Sequence, residues 1–307
     1  KRQINYSIKH DKSGKFVHVG YEQRAYIRSV VDEFTLVLEN RTGQKLRPRR
    51  SPLPVAEKQR FYKAESTEGA YKEGEKFAKL EKGLFAEDCR HWVGELLFVG
   101  RCCRPDITYA VTFLAGEQES WNTDTDRELI WLMGYLKATG NKVLRGKLFY
   151  ADQFLWTITL ETDGSHAGCK STRKGVSGYA VYLTGPHGTR ILIDWGCKKQ
   201  QTQALSSGEC EAFAMMFGSK SVIKLVMCLN RLMGFGPSAT VATERLHSDS
   251  KVAITAVQKA NSEAMRHMRR TAGVCLGWLH SYWCDCGDKR VVEWSPGKEL
   301  SADAQTK

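Results

Sequence analysis

The sequence predicts a mixed α/β protein, in which a five-stranded mixed sheet with flanking helices follows a mainly helical region. Two features of the 307-residue chain lead to this prediction. Apolar side chains recur at helical spacing over residues 88–140. From residue 150 onward, three strand-like segments precede a long helical stretch, and two further strands alternate with helical segments. Strands and helices in this order form layered α/β folds.

The composition limits the classes of partner. The chain has 46 Lys and Arg against 34 Asp and Glu, a formal net charge of +12, and its isoelectric point is about 9.2. A balance this basic favours a polyanionic partner, either nucleic acid or an acidic membrane surface. We find no apolar run near the roughly 20 residues that a bilayer requires, so no membrane partner is predicted. Residues 1–5 lack an initiator Met and a signal peptide, which indicates a piece of a longer protein.

The ten cysteines form no CxxC pair, and without a secretory signal we expect reduced thiols. His280, Cys284 and Cys286 are close in sequence. No fourth ligand stands at a suitable spacing, which disfavours a zinc site. The chemistry of the chain is therefore sought among its carboxylates.

The first half of the chain is basic and mostly helical. Alternation predicts a β-hairpin with strands at 6–9 and 15–19, and apolar spacing predicts a helix over 23–34. The segment RPRRSPLP at 47–54 is predicted to be an extended basic linker that either follows a phosphate backbone or is simply solvated. Residues 88–140 are predicted to form three helices, the last of which ends near Gly140.

The second half carries the sheet. Its central strand is predicted within LWTITLETDGSH at 155–166, where β-branched and aromatic residues dominate. The predicted strands are 154–162, 177–184, 190–196, 240–247 and 290–294. The predicted helices are 207–232, 253–260 and 264–282.

Four acids lie at the predicted strand ends or helix starts: Asp163, Glu209, Asp249 and Asp303. Each also has a purely structural explanation. Asp163-Gly164 is common in turns, Ser206-x-x-Glu209 matches a helix capping box, Asp249 is placed to cap a helix, and Asp303 is near a frayed end.

Their shared placement in such a basic chain favours a metal site. Clustered carboxylates repel one another and do not all ionise without a cation between them. Hard oxygen ligands select Mg²⁺ or Mn²⁺. Two such ions about 4 Å apart can hold both the attacking water and the leaving oxygen of a phosphodiester. A basic chain with an acidic pocket therefore predicts a nuclease.

Several segments resemble the ribonuclease H domain of copia-type retrotransposon polyproteins. The most specific is KKQQTQALSSGE at 198–209, which is similar to the family's SKKQxTVALSSTE motif. The others are RPDITYAV at 104–111, YLKAT at 135–139, RKGVSGY at 173–179, RHM at 266–268 and LSADAQTK at 300–307. The opening hairpin and helix resemble the segment that follows the polymerase palm in such elements.

The resemblance implies a domain plan. Residues 1–85 would be the end of the reverse transcriptase palm and thumb with a basic linker, and residues 86–150 a helical thumb and connection region. Residues 151–307 would be the ribonuclease H-like domain, a five-stranded mixed sheet with helices on both sides. The chain has no YxDD motif, so the polymerase active site is expected to lie outside it.

The resemblance also implies a reaction, endonucleolytic hydrolysis of the RNA strand of an RNA–DNA hybrid, which leaves a 3′-hydroxyl and a 5′-phosphate. Asp163, Glu209, Asp249 and Asp303 would bind two Mg²⁺ ions, for which Mn²⁺ would substitute. The implied partners are the hybrid and the polymerase palm and fingers of the same polyprotein. The implied location is a cytoplasmic virus-like particle, with the nucleus as a second location.

Two departures from the family pattern concern the acids. Copia-type elements usually have Asp-x-Asp where this chain has Asp163-Gly164-Ser165, so a second acid is missing. The chain also stops four residues past Asp303. Both departures favour the main alternative, a nucleic-acid-binding or structural module without catalysis. A second alternative is an integrase-like transferase on the same fold.

Contacts with the substrate are predicted at polar and basic residues near the strand ends and on a later helical segment. They are Arg173, Lys174, Lys198, Lys199, Ser250, Arg266, Arg269 and Arg270. Such contacts go mainly to phosphates, and the 2′-hydroxyl distinguishes RNA from DNA. Glu211 is predicted to lie at the surface or behind the metal ligands.

Overall fold

The computed structural model describes residues 4–54, 81–166, 174–236, 242–271, 273–285 and 287–306. The chain forms two compact units. Unit 1 comprises Lys1–Asn5 with Tyr21–Leu144, and unit 2 comprises Tyr6–Gly20 with Arg145–Lys307. The predicted plan had three regions, with boundaries at 85/86 and 150/151. The first of these falls inside unit 1, because helices from both sides of it share one core.

Unit 1 is helical, as its apolar spacing predicts. The helices among its described residues are α1 (Arg24–Thr42), α2 (Cys89–Cys102), α3 (Thr108–Gly116) and α4 (Thr123–Thr139). Side chains from all four helices form its core, with Phe34, Trp92, Val111 and Leu132 nearly inaccessible to solvent. Asn122 caps α4, because its side chain accepts hydrogen bonds from two backbone amides of the first turn.

The basic segment 47–54 packs partly on α4, while Arg47 and Arg50 are exposed. Contact of this segment with a phosphate backbone stays a prediction. The Arg49 amide donates to the carbonyl of Gly134 at 3.0 Å. The Arg49 guanidinium lies over the Trp131 ring, 4.0 Å from its centroid. A Cβ on Gly134 would lie 2.3 Å from the carbonyl oxygen of Arg47, so glycine is required for this approach.

Unit 2 contains the sheet, which has eight strands in the order β1-β2-β3-β6-β5-β4-β7-β8. The strands are β1 (Asn5–His10), β2 (Phe16–Glu22), β3 (Leu144–Phe149), β4 (Thr157–Ser165), β5 (Val176–Thr184), β6 (Arg190–Lys199), β7 (Thr243–Ser248) and β8 (Arg290–Trp294). β4 pairs antiparallel with β5 and parallel with β7. The mixed α/β class is therefore confirmed, and the five predicted strands, β4 to β8, are neighbours in the sheet.

Three further strands extend the sheet beyond β6. β3, which was not predicted, pairs antiparallel with β6 through Lys147 and Arg190. The opening hairpin continues the sheet past β3. The hairpin was predicted as part of the polymerase region, but most of it belongs with the sheet of unit 2.

The longest helix, α5 (Ser207–Leu232), has the bounds predicted from the sequence and covers one face of the sheet. A Cβ on Gly218 would lie 2.7 Å from a methyl carbon of Leu160 on β4 and 3.1 Å from Tyr179 on β5, so this glycine brings the helix close to the sheet. α5 is long and apolar enough to cross a membrane, but the core helices of soluble proteins meet the same two criteria of length and composition. The absence of a membrane partner stays a prediction.

The described part of unit 2 also has three shorter α-helices: α6 (Lys251–Gln258), α7 (Met268–Thr271) and α8 (Leu276–Trp283). A continuous helix was predicted over 264–282, but the described residues there form α7 and α8. Gly273, between them, has φ of +66°, a left-handed conformation that interrupts a helix. After β8 the chain forms two short 3₁₀ turns, Gly297–Glu299 and Ser301–Gln305, and the second of them packs against β4 and β5.

Candidate metal centre

Asp163 lies near the carboxyl end of β4, where it pairs with Gly178 of β5. Its side chain is 5% exposed. The next residue, Gly164, lies directly under the start of α5, because a Cβ there would be 2.5 Å from the carbonyl carbon of Cys210. This close contact brings the end of β4 and the first turns of α5 together.

Glu211 enters the site from α5. Glu211 is 5% exposed, so of the two predicted places, at the surface or behind the metal ligands, the surface is wrong. Its Oε1 accepts a hydrogen bond from the Gly164 amide at 3.0 Å, and its Oε2 accepts one from Ser248 Oγ at 3.3 Å. The helix thereby fixes an acid against the ends of both β4 and β7.

Asp249 completes the group directly after β7. One ligand oxygen from each of Asp163, Glu211 and Asp249 lies within 4.8 Å of the others. Asp249 is exposed, whereas the other two are buried. Asp249 does not cap α6; Ser250 does, because its Oγ accepts from the Ala253 amide at 3.2 Å. The group therefore opens to solvent on the Asp249 side.

The electrostatics of the group affect Glu211 most. Burial raises the pKa of its carboxyl, the negative charges of Asp163 and then Asp249 add to this, and the resulting pKa is about 8. The hydrogen bonds from Gly164 and Ser248 lower the pKa but do not offset these effects. In the protein alone, Glu211 therefore holds a proton at neutral pH, because burial and the two adjacent negative charges disfavour its ionised form.

The structure does not bring Glu209 into this group. Its Oε2 accepts a hydrogen bond from the Leu205 amide at 2.8 Å, and its own amide donates to Ser206 Oγ at 3.3 Å. Ser206 thus caps α5 as the structural alternative for Glu209 expected, but the Glu209 carboxylate accepts from Leu205, one residue before the cap, and not from the cap amide itself. The same Oε2 lies 3.5 Å from His267 Nε2.

The periodicity of α5 distinguishes the two glutamates. Residues 211, 215, 218 and 222 recur at helical spacing, and Gly218 of this stripe lies against Leu160 and Tyr179, so Glu211 is on the stripe that faces the sheet. Glu209 is two positions earlier, about 200° around the helix. An acid on the sheet-facing stripe of a predicted helix was the signal that would have identified Glu211.

Asp303 is also outside the group of three among the described residues. It lies in the 3₁₀ helix Ser301–Gln305 and is partly exposed. Its segment nevertheless reaches the site, because Thr306 Oγ1 donates a hydrogen bond to Asp163 Oδ2. The role predicted for Asp303 stays a prediction.

The predicted substrate contacts lie on two sides of the group. Lys198 is exposed and pairs with Ser177, which in turn pairs with Gly164, so it lies two strand spacings, about 10 Å, from the end of β4. Lys199 follows Lys198 on β6, and Lys174 precedes β5. Arg173 lies outside the described residues.

The second set lies around α7. Arg266, Arg269 and Arg270 are exposed, and Arg266 NH2 lies 3.7 Å from Glu263. His267, among these arginines, contacts Glu209 at the start of α5 as described above. This contact holds the basic segment beside the helix that carries Glu211. Substrate binding by these residues, and by Ser250, stays a prediction.

Comparison with known proteins relates the chain to a retrotransposon. It is 30% identical over 141 residues to the retrovirus-related Pol polyprotein from transposon TNT 1-94 of Nicotiana tabacum, a match that covers 46% of this chain and 10% of the polyprotein. It is 32% identical over 129 residues to an uncharacterized mitochondrial protein of Arabidopsis thaliana, over 42% of this chain and 49% of that protein. The chain thus spans about half or less of these relatives. No family model matches it.

Solved structures were also compared with the chain. Ribonuclease H1 from Halobacterium salinarum NRC-1 matches 49% of this chain and 90% of its own, with 14% identity and a TM-score of 0.29. Prototype foamy virus protease-reverse transcriptase matches 52% of this chain and 20% of its own, with 7% identity and a TM-score of 0.31. The similarity to a retrotransposon polyprotein that the motifs indicated is confirmed by the tobacco relative.

The carboxylate group fits a hard divalent cation. All its donors are carboxylate oxygens, which Mg²⁺ and Mn²⁺ prefer. Oxygens within 4.8 Å of one another need only small side-chain rotations to reach a Mg²⁺ ion at about 2.1 Å. A cation would also offset the repulsion that keeps a proton on Glu211. Asp163, Glu211 and Asp249 are therefore the residues that would hold it.

Proposed function

We propose that the chain is the ribonuclease H part of a copia-type retrotransposon polyprotein and that it hydrolyses the RNA strand of RNA–DNA hybrids with divalent metal ions. The observation that supports this proposal is the convergence of Asp163, Glu211 and Asp249 at the ends of β4, α5 and β7. Bound Mg²⁺ or Mn²⁺ ions would activate the attacking water and stabilise the departing 3′ oxygen.

The residues around the carboxylates would bind and orient the hybrid. Lys198 and Lys199 at the end of β6, and the arginines around α7, would contact phosphates. Because these positive charges flank a group of negative ones, the phosphate backbone would be held at the sides while the scissile bond lies over the carboxylates. Recognition of the 2′-hydroxyl would select the RNA strand.

As part of such a polyprotein, the chain would act beside the polymerase palm and fingers. We expect it in a cytoplasmic virus-like particle, with the nucleus as a second location. The main alternative is a module that binds the hybrid without cutting it. The position of Asp303 outside the group of three favours this alternative, because the resemblance implies four metal-binding acids.

Cleavage of an end-labelled RNA–DNA hybrid in Mg²⁺ or Mn²⁺ tests the proposal. The parent chain should cut only the RNA strand, and Asp163→Asn and Glu211→Gln should lower the rate by at least about a thousandfold, since both remove charge from the metal ligands. Glu209→Gln is the matched control, because a glutamine oxygen also accepts the hydrogen bond from the Leu205 amide. It should retain the rate within about tenfold.

Two results would contradict the proposal. If the parent binds the hybrid with strong salt dependence but never cuts it, the chain is a binding module. If Glu209→Gln abolishes cleavage and Glu211→Gln does not, the assignment of the glutamate is wrong. Binding of each variant to the hybrid should be measured alongside, so that a loss of cleavage is distinguished from a loss of affinity.

A further inference from the structure

The segment that follows β8 packs against the strand pair that carries Asp163. Ala302, Gln305 and Thr306 are each at most 3% exposed. A Cβ on Gly178 would lie 2.7 Å from Thr306 Cγ2 and 2.8 Å from Gln305 Cβ. Gly178 is the partner of Asp163 across β4 and β5, so a glycine on β5 makes room for Thr306 directly over the Asp163 pair.

Two hydrogen bonds join this segment to β4. The Ser301 amide donates to Glu161 Oε2 at 2.6 Å, and Thr306 Oγ1 donates to Asp163 Oδ2. Glu161 and Asp163 are two residues apart on a strand, so they share one face of the sheet. The segment is therefore attached at both ends to the strand that supplies the first acid of the candidate metal centre.

The hydroxyl of Thr306 has a single proton to donate. It has two acceptors within reach, Asp163 Oδ2 and the carbonyl oxygen of Asp303 at 3.2 Å. A hydrogen bond to a carboxylate is stronger than one to a neutral carbonyl, so the proton is directed to Asp163. This bond fixes the rotation of the Asp163 carboxylate about its Cβ–Cγ bond.

A threonine suits this position because it is neutral. A Lys or Arg would also donate to Asp163, but its positive charge would offset the negative charge that a cation requires. Thr306 orients the carboxylate and leaves its charge in place. Glu211, which crowds Asp163 from the other side, receives its hydrogen bonds from Gly164 and Ser248, which are also neutral donors.

We propose that Thr306 is a positioning residue for Asp163, whose carboxylate it holds in the orientation that a divalent cation binds. This inference rests on the proposed function and adds to it a residue outside the four acids. Through Thr306, the segment that follows β8 would support the proposed metal centre.

The test compares Thr306→Val, which keeps the shape and removes the donor, with Thr306→Ser, which keeps the donor. Mn²⁺ affinity is measured at one pH from the electron paramagnetic resonance signal of free Mn²⁺. The valine variant should bind Mn²⁺ about tenfold more weakly, as expected for a lost hydrogen bond to a charged group. The serine variant should stay within about twofold of the parent, because its hydroxyl replaces the lost donor.

A purely structural role predicts a different result, in which both variants change the melting temperature and neither changes Mn²⁺ affinity. That result would overturn the inference. If Thr306→Val does not fold, Thr306→Ala replaces it and the same comparison with Thr306→Ser applies. Gly178→Ala is an independent variant that displaces the segment while the hydroxyl is retained, and it should also weaken Mn²⁺ binding.

The parent chain and Asp163→Asn separate this inference from the proposed function. If the parent binds no Mn²⁺, or if Asp163→Asn binds Mn²⁺ as tightly as the parent does, the proposed metal centre is wrong. If the parent binds Mn²⁺ through Asp163 and Thr306→Val binds it equally well, only the role of Thr306 fails.

Discussion

Asp152 and Glu211 are both buried acids of unit 2, and their surroundings are opposite. Asp152 is fully buried. It accepts hydrogen bonds from the amides of His187 and Thr189 at 2.8 and 3.0 Å and from His187 Nδ1 at 2.8 Å. Burial acts to raise the pKa of Asp152, but the hydrogen bonds from Thr189 and His187 outweigh it, and the pKa falls to about 2. The fold therefore compensates this charge.

Glu211 has fewer donors and two acidic neighbours. Its pKa is raised to about 8, first by burial and then by the charges of Asp163 and Asp249. A fold that were optimised only for stability would have no reason to collect three carboxylates at this position. The comparison indicates that the charge at Asp152 stabilises the loop between β5 and β6, whereas the ionised form of Glu211 lacks such compensation in the protein alone, as expected for a ligand of the proposed cation.

The largest effect that separates the two acids is expected in the pH dependence of stability without metal. The pKa of Glu211 in the folded protein lies above its ordinary value of 4.5. The contribution of Glu211 to the free energy of unfolding is therefore fully present below about pH 4.5 and is lost as the pH rises through 8. Glu211→Gln should remove this loss and be more stable at pH 9 by on the order of 3 to 5 kcal/mol. Urea unfolding in EDTA at several pH values measures it, and equal pH slopes in parent and variant would contradict it.

A somewhat smaller effect is expected at Asp152. Its folded pKa lies below 3.8, so its contribution is present above about pH 4 and is lost as the pH falls through 2. Asp152→Asn should lower the free energy of unfolding at pH 7 by about 2 to 3 kcal/mol, because buried amides lose a charged acceptor. Mn²⁺ affinity should not change. A variant that unfolds like the parent would show that this charge is not compensated as described.

The smallest effect is expected at Glu209. Glu209→Ala removes the hydrogen bond that the Leu205 amide donates at the start of α5 and should lower the free energy of unfolding by about 1 kcal/mol. Thermal unfolding monitored by circular dichroism is sufficient to detect it. A loss above about 3 kcal/mol would mean that Glu209 does more than accept this hydrogen bond and contact His267.

Sequence patterns correctly predicted the helices and strands whose bounds depend on neighbouring residues in the chain. The bounds of α5 follow from the Ser206 cap and a long apolar repeat, and β8 follows from its β-branched residues. β3 was missed because LRGKLF has no strong alternation and becomes a strand through its pairing with β6. A pairing between residues 43 positions apart in sequence, Lys147 and Arg190, leaves no local signal.

The same limit explains the candidate site. Asp163 and Asp249 were predicted because a sheet brings strand ends together, and the structure groups them. Glu209 was predicted because the motif at 198–209 ends on it, whereas the glutamate that the structure groups with Asp163 and Asp249 is Glu211, whose direction is set by the rotation of α5. The contact of Thr306 with Asp163 could not be predicted from the sequence, because no local pattern shows which acid a threonine hydroxyl contacts.

The central claim is that the uncompensated acid Glu211, and not its neighbour Glu209, binds a divalent cation with Asp163 and Asp249. The most direct measurement is Mn²⁺ titration of the parent, Glu211→Gln and Glu209→Gln under the same conditions. The account predicts that Glu211→Gln weakens Mn²⁺ binding by a hundredfold or more, roughly the effect of removing a charged ligand, while Glu209→Gln stays within about threefold of the parent. Equal losses in both variants, or a loss in Glu209→Gln alone, would contradict it.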